Sequence, residues 1–152
     1  MSQPPGPVIV VDDDDAVRNS LKFALELEGL SVHLFKDGTE LLAATDLAQG
    51  GCFVIDYNMP GMTGIELVEK LRQRRIDRPA ILITSRVSDD LCDRAARSGF
   101  RVILEKPLHD SELLDSIHAA LAQPEVLVSA PKGHTSDKRI LFPTPHDAHI
   151  EK

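Results

Sequence analysis

The chain has 152 residues, 42% of them apolar, enough for one core of ordinary domain size; aromatics are 4% and Trp is absent, so Leu, Ile, Val and Ala must fill it. A formal charge of −7 argues against the broad basic face of a phosphate-backbone binder, and no direct nucleic-acid contact is expected. No window reaches the roughly 18 apolar residues of a membrane helix, the opening MSQPPGP lacks a signal-peptide pattern, and Cys52 and Cys92 are too few for a disulfide framework, so a cytoplasmic domain with reduced thiols and no membrane partner is the expectation.

After a flexible N-terminus over residues 1–6, strand-like and helix-like periodicities alternate from residue 7 to residue 122. VIVV at 8–11 is a short β-branched run of the kind buried on both sheet faces. Four aspartates follow, and then Val17, Leu21, Ala24 and Leu25 form a helical stripe closed by Gly29. Residues 31–35 alternate more weakly, as suits a sheet edge. Residues 38–48 carry Leu41, Leu42 and Leu47 on a second helix that ends at Gly50 and Gly51.

A third apolar run over 52–55 ends at Asp56, and Met59, Pro60 and Gly61 turn the chain into a helix marked by Ile65, Leu67, Val68 and Leu71. Pro79 precedes a fourth run, 80–84, ending in hydroxyl residues. Residues 88–98 form a fourth helix stopped by Gly99, residues 102–104 a fifth strand, and residues 110–121 a fifth helix capped by Asp110 or Ser111. Asp14 and Asp15 read as helix-start residues suited to the dipole. The cluster Arg72, Arg74 and Arg75 reads as a solvated helix end, His33, His109 and His118 as surface or rim residues, and Cys52 as core.

Five strand–helix units with apolar central strands call for crossover helices on both faces of a parallel sheet. The predicted class is α/β, a doubly wound five-stranded parallel sheet with five helices. Residues 123–152 break the pattern, with four prolines and three of the six histidines. A disordered tail is the first expectation there, and a docking segment built on Ile140, Leu141 and Phe142 is the second.

In such a sheet, ligands bind at the carboxyl ends of the strands. The first strand ends at Asp12 and Asp13, the third at Asp56, the fourth at Thr84 and Ser85, and the fifth at Glu105, Lys106 and Pro107. Two carboxylates about 5 Å apart repel by roughly 3 kcal/mol at an effective dielectric of 20. Three on one rim must raise a pKa or attract a cation. Mg2+ suits such oxygen ligands and is commonly completed by a phosphate oxygen, with Mn2+ an acceptable substitute. Lys106 supplies a charge for a phosphoryl oxygen and Thr84 a hydroxyl.

The arrangement VVDD…VIDYNMPGMTG…ILITS…LEKP resembles the receiver domain of two-component response regulators, a chemotaxis-regulator-like family, over residues 7–122. The resemblance implies the flavodoxin-like strand order 2-1-3-4-5. It implies that Asp56 accepts a phosphoryl group from a sensor histidine kinase or phosphotransfer protein. Asp13, Asp56 and the backbone carbonyl of Asn58 would bind Mg2+ directly, and Asp12 through water. Lys106 would hold the phosphoryl oxygens, Pro107 would follow a cis peptide bond, Thr84 would move toward the phosphate, and Ser85 would supply the small residue beside it. Asn58 and Arg86 occupy the positions that tune hydrolysis of the acyl phosphate.

The switch would bias the fourth helix, fifth strand and fifth helix, the face receivers use to dock a downstream protein or a second copy. One departure stands out: Ile103 occupies the place where receivers carry a switching aromatic, and Phe100 is out of register. A weaker shift or another readout is therefore expected. The leading reading is a stand-alone signalling module rather than an enzyme acting on an external substrate. Alternatives are the receiver fragment of a DNA-binding transcription factor and, further off, a dehalogenase-type Mg2+-dependent phosphatase. The phosphatase family wants a second acid where Asn58 stands. A dinucleotide-binding reading would need glycines where Asp12 to Asp15 stand.

Overall fold

The computed structural model describes residues 6–44, 51–122 and 139–141. Its elements are β1 (Val8–Val11), α1 (Asp15–Leu27), β2 (Val32–Phe35), α2 (Gly38–Ala43), β3 (Cys52–Asp56), α3 (Gly64–Gln73), β4 (Ala80–Thr84), α4 (Asp89–Ser98), β5 (Val102–Glu105), α5 (Asp110–Ala122) and β6 (Arg139–Leu141). The first five strands are parallel in the order 2-1-3-4-5, as expected. The sheet does not stop there, because β6 adds a sixth strand antiparallel to β5. Three residues are too few to show a period of two, so this strand has no signature in the sequence. Phe142, grouped with them above, lies outside the described residues.

Alternation along the strands divides the core into two layers. Ile9, Val11, Phe53, Ile55, Leu82 and Ile103 point to one face, where α2, α3 and α4 bring Leu41, Leu67, Leu71, Leu91 and Ala95. Val8, Val10, Cys52, Val54, Ile81, Ile83, Val102 and Leu104 point to the other, where α1 and α5 bring Leu21, Leu25, Leu113 and Ile117. Every residue of β1, β3 and β4 is buried, which is why those runs are continuously apolar. Among the described residues no helix is long and apolar enough to cross a membrane.

Helix boundaries follow local chemistry. Asp14 caps α1, its carboxylate accepting the N–H groups of Ala16 and Val17. Thr63 and Glu66 form a capping box on α3, and Ser88 caps α4. Gly99, at φ 95°, closes α4. The second helix is shorter than the leucine spacing suggested: it ends at Ala43, and Ala44 is already extended. Leu47 lies outside the described residues. His33, His109 and His118 are exposed and Cys52 is fully buried.

The basic cluster at the end of α3 needs a correction. Arg74 and Arg75 are exposed, but Arg72 is half-buried and donates to the carbonyls of Ile76 and Arg78 at 2.9 Å and of Gly99 at 3.4 Å. It fastens the end of α3 to the loops that lead into β4 and β5. Burial lowers its pKa, yet a guanidinium stays charged. Charge-assisted hydrogen bonds to buried carbonyls are worth more than neutral ones. Arg72→Ala is predicted to cost about 2 kcal/mol in urea denaturation, and Arg75→Ala, at an exposed site, less than half as much; equal losses would return Arg72 to the solvated surface.

Candidate functional site

Strand register alone assembles the rim. Val11 lies opposite Ile55, so the next residues, Asp12 and Asp56, come level. Asp56 lies opposite Ile83, and Thr84 opposite Glu105, which brings Thr84 and Lys106 to the same edge one residue further on. Asp13 follows on the loop. One carboxylate oxygen from each of Asp12, Asp13 and Asp56 falls within 4.8 Å of the others.

Asp12 and Asp56 are buried, at 1% and 3% exposure, and Asp13 is exposed. Lys106 lies between the two buried acids, its Nζ 3.3 Å from Asp56 Oδ1 and 3.9 Å from Asp12 Oδ2. The longer distance exceeds hydrogen-bonding range. Asp12 Oδ1 accepts the Asp14 N–H at 2.9 Å, while Oδ2 is buried and accepts no hydrogen bond among the described residues.

Burial raises the pKa of both acids. Asp56 is pushed up to about 6 by desolvation first and by the Asp12 charge second, with Lys106 opposing. Asp12 is raised by desolvation, against the pull of its backbone hydrogen bond and of Lys106. One ammonium therefore does not offset two buried carboxylates. A cation bound by Asp12, Asp13 and Asp56 would supply the missing charge and a partner for the orphaned Asp12 Oδ2. The all-oxygen donor set, without His or Cys, fits a hard divalent ion such as Mg2+.

The remaining sequence candidates fall into place around these groups. Thr84 is buried at 2% exposure. Its hydroxyl donates to the Arg86 carbonyl at 3.2 Å and accepts the Arg86 N–H at 3.3 Å, so it is engaged with the loop after β4 rather than with the carboxylates. Ser85, Arg86 and Asn58 are exposed on the loops that border the rim. The Lys106–Pro107 peptide bond is cis. Ile103 is fully buried beside Phe100, Leu91 and Ala95 in the α2–α3–α4 core layer.

Three supporting residues escaped the sequence reading. Arg18 donates to the Asp12 backbone carbonyl at 2.6 Å and pairs with Asp15, tying α1 to the end of β1; a cation one turn into a helix that follows an acidic strand end was the available signal. Gly64 lets α3 start against the backbone of β3, where a Cβ would sit 2.6 Å from the Asp56 carbonyl oxygen. A glycine just after a capping threonine, where alanine would favour the helix, marks such a close approach. Tyr57, next to Asp56, accepts a hydrogen bond from Arg94 of α4 at 3.4 Å, a link with no local sequence signal.

The chain is similar to known proteins. The family described as the response regulator receiver domain matches residues 8–118. The transcriptional regulatory protein FixJ of Azorhizobium caulinodans is 37% identical over 133 residues, covering 88% of this chain and 61% of that protein. The C4-dicarboxylate transport transcriptional regulatory protein DctD of Pseudomonas aeruginosa is 39% identical over 114 residues, covering 75% of this chain and 25% of that protein. The chain thus spans only part of the length of these relatives. Among solved structures, chemotaxis protein CheY4 of Vibrio cholerae superposes with a TM-score of 0.73 at 28% identity, covering 78% of this chain and all of that one. The crystal structure of FixJ-N gives a TM-score of 0.73 at 32% identity, with 82% and 100% coverage. The fold, the sheet order and the matched family agree: this chain belongs to the response regulator receiver domains of two-component signalling, a family of signalling modules.

Proposed function

We propose that the chain is a phosphoacceptor regulator in which Asp56 takes a phosphoryl group from a histidine kinase or phosphotransfer protein. The observation that carries the reading is the pair of buried carboxylates, Asp12 and Asp56, with Lys106 at 3.3 Å from the acceptor oxygen. An Asp56 oxygen would attack the phosphorus of a phosphohistidine; the new P–O bond forms as the P–N bond breaks, and the imidazole leaves and takes up a proton. Lys106 would hold the transferred oxygens, and the Thr84 hydroxyl would exchange its Arg86 partners for one of them. Mg2+, when held by Asp12, Asp13, Asp56 and the Asn58 carbonyl, supplies positive charge against the incoming phosphoryl oxygens.

The chain would catalyse only its own phosphorylation and dephosphorylation, with Asn58 and Arg86 placed to affect access of water. Movement of Thr84 and the loop after it would bias α4, β5 and α5, where a downstream protein or a second copy would dock. As a stand-alone module in the cytoplasm the chain would act through that partner, without touching nucleic acid. A second reading, the receiver portion of a DNA-binding regulator, is favoured by relatives that are transcriptional regulators and of which this chain spans 61% or less; nucleic-acid contact would then lie in a separate output domain.

Phosphorylation is testable by incubation with acetyl phosphate and Mg2+ followed by intact mass. One added phosphoryl group is expected, lost in Asp56→Ala and when chelator replaces Mg2+. Uptake that survives Asp56→Ala would move the acceptor elsewhere. Switching is testable with beryllofluoride, which should shift the amide resonances of residues 84–106; a silent segment would remove the switch.

Stability reports on the metal separately. The ordinary Asp pKa is 3.8 and that of folded Asp56 about 6. Below the lower value both folded and unfolded chains are protonated and burial is harmless. Between the two, the unfolded chain loses its proton first, so stability falls as pH rises and stays reduced above about 6. The full loss is up to about 3 kcal/mol. Asp56→Asn is therefore expected to stabilise the metal-free protein by roughly 1–3 kcal/mol at pH 7 and by little at pH 4. Saturating Mg2+ should stabilise the parent more than the variant in urea denaturation. A metal-free variant less stable than the parent at pH 7 would show that the buried charge is already balanced.

A further inference from the structure

The outer parallel strand, β5, has its free edge taken by β6. Edge strands present unpaired N–H and C=O groups and are commonly guarded by charge or proline. β2, at the opposite edge, exposes His33. In β5, by contrast, Val102, Ile103 and Leu104 are apolar and, with β6 beside them, buried at 4%, 0% and 0% exposure, and the strand's one charge, Glu105, stands at its end. Arg139–Leu141 cover just these three residues, in antiparallel register: Leu141 opposite Val102, Ile140 opposite Ile103 and Arg139 opposite Leu104.

The same edge is self-complementary. Two copies of β5 related by a two-fold axis are necessarily antiparallel, the orientation in which this edge takes β6. Centred on Ile103, such pairing sets Val102 of one copy opposite Leu104 of the other, and Arg101 opposite Glu105. Oppositely charged residues would then close both ends of an apolar pairing. The edge can hold β6 or a second β5, and not both.

We propose that Arg139–Leu141 is a cover strand that reserves the β5 edge for this chain's own use and prevents that edge from pairing with a second copy. Three rungs make a short ladder, which a competing strand at sufficient concentration can displace. The covered rungs end at Leu104, two residues before Lys106, so whatever occupies this edge sits on the strand that carries the site lysine. The proposal does not depend on phosphoryl chemistry at Asp56.

The test uses the full chain with proline in the cover strand. Ladder hydrogen bonds fall on alternate residues, so Ile140→Pro and the double variant Arg139→Pro/Leu141→Pro between them remove the pairing whichever set is bonded. Light scattering is expected to give a monomer for the parent and a doubled mass for at least one proline variant. At a dilution where parent and variant are both monomeric, hydrogen exchange should show β5 amides of the parent protected at least about tenfold relative to that variant. Adding Glu105→Lys to the variant sets like charges opposite Arg101 and should return it to monomer. Equal exchange in parent and variants, a variant that stays monomeric with its β5 amides unprotected, or a dimer indifferent to Glu105→Lys would each overturn the proposal. So would a parent dimer that the prolines dissociate, because β6 would then dock on the neighbouring copy.

Discussion

Two carboxylates buried at the ends of adjacent strands, with one ammonium between them, set the terms for the rest of this structure. Desolvation first and the Asp12 charge second raise the pKa of Asp56 to about 6, and desolvation raises that of Asp12 as well. The charges are held there by the fold, because each acid ends or follows a strand that is buried along its whole length. A hard cation held by Asp12, Asp13 and Asp56 would supply the charge that Lys106 alone does not.

The surrounding scaffold holds these charges in place from several sides. Arg18 grips the Asp12 carbonyl, Gly64 allows α3 to abut the Asp56 carbonyl, and the Lys106 N–H donates to the Thr84 carbonyl at 2.8 Å. Each contact is to backbone, so it fixes the strand ends from which the carboxylates project. Preorganisation of this kind is what a phosphoryl site needs, since the ligands need not rearrange when charge develops. Ile103, where the resemblance called for an aromatic, is an aliphatic residue fixed in the α2–α3–α4 core layer. The contacts that link the site to its surroundings are those of Thr84 with the Arg86 loop and of Tyr57 with Arg94 on α4.

Much of this was legible in the primary structure, and for a definite reason. A doubly wound sheet sends every strand end to one rim, so a polar residue that terminates an apolar run declares its own location. Asp12, Asp56, Thr84 and Lys106 could be grouped that way before any coordinates. Asp14 could be assigned to a helix start because capping is local. Arg72 could not be read correctly: the turn after α3 has to fold the Ile76 and Arg78 carbonyls back to it, and the packing of α3 and α4 has to bring the Gly99 carbonyl. β6 was legible only as an apolar docking segment and not as a strand, since three residues become a strand only when a neighbouring edge supplies the hydrogen bonds.

The sequence by itself determined the alternation of elements, the chemistry available at each strand end and the family. These depend on periodicity and short-range spacing, which a linear chain carries. Tertiary structure alone decided the distances of 3.3 and 3.9 Å from Lys106 to the two acids, the orphaned oxygen of Asp12 and the covering of β5 by a segment far along the chain. Those depend on register and on desolvation, and neither exists until the strands are side by side.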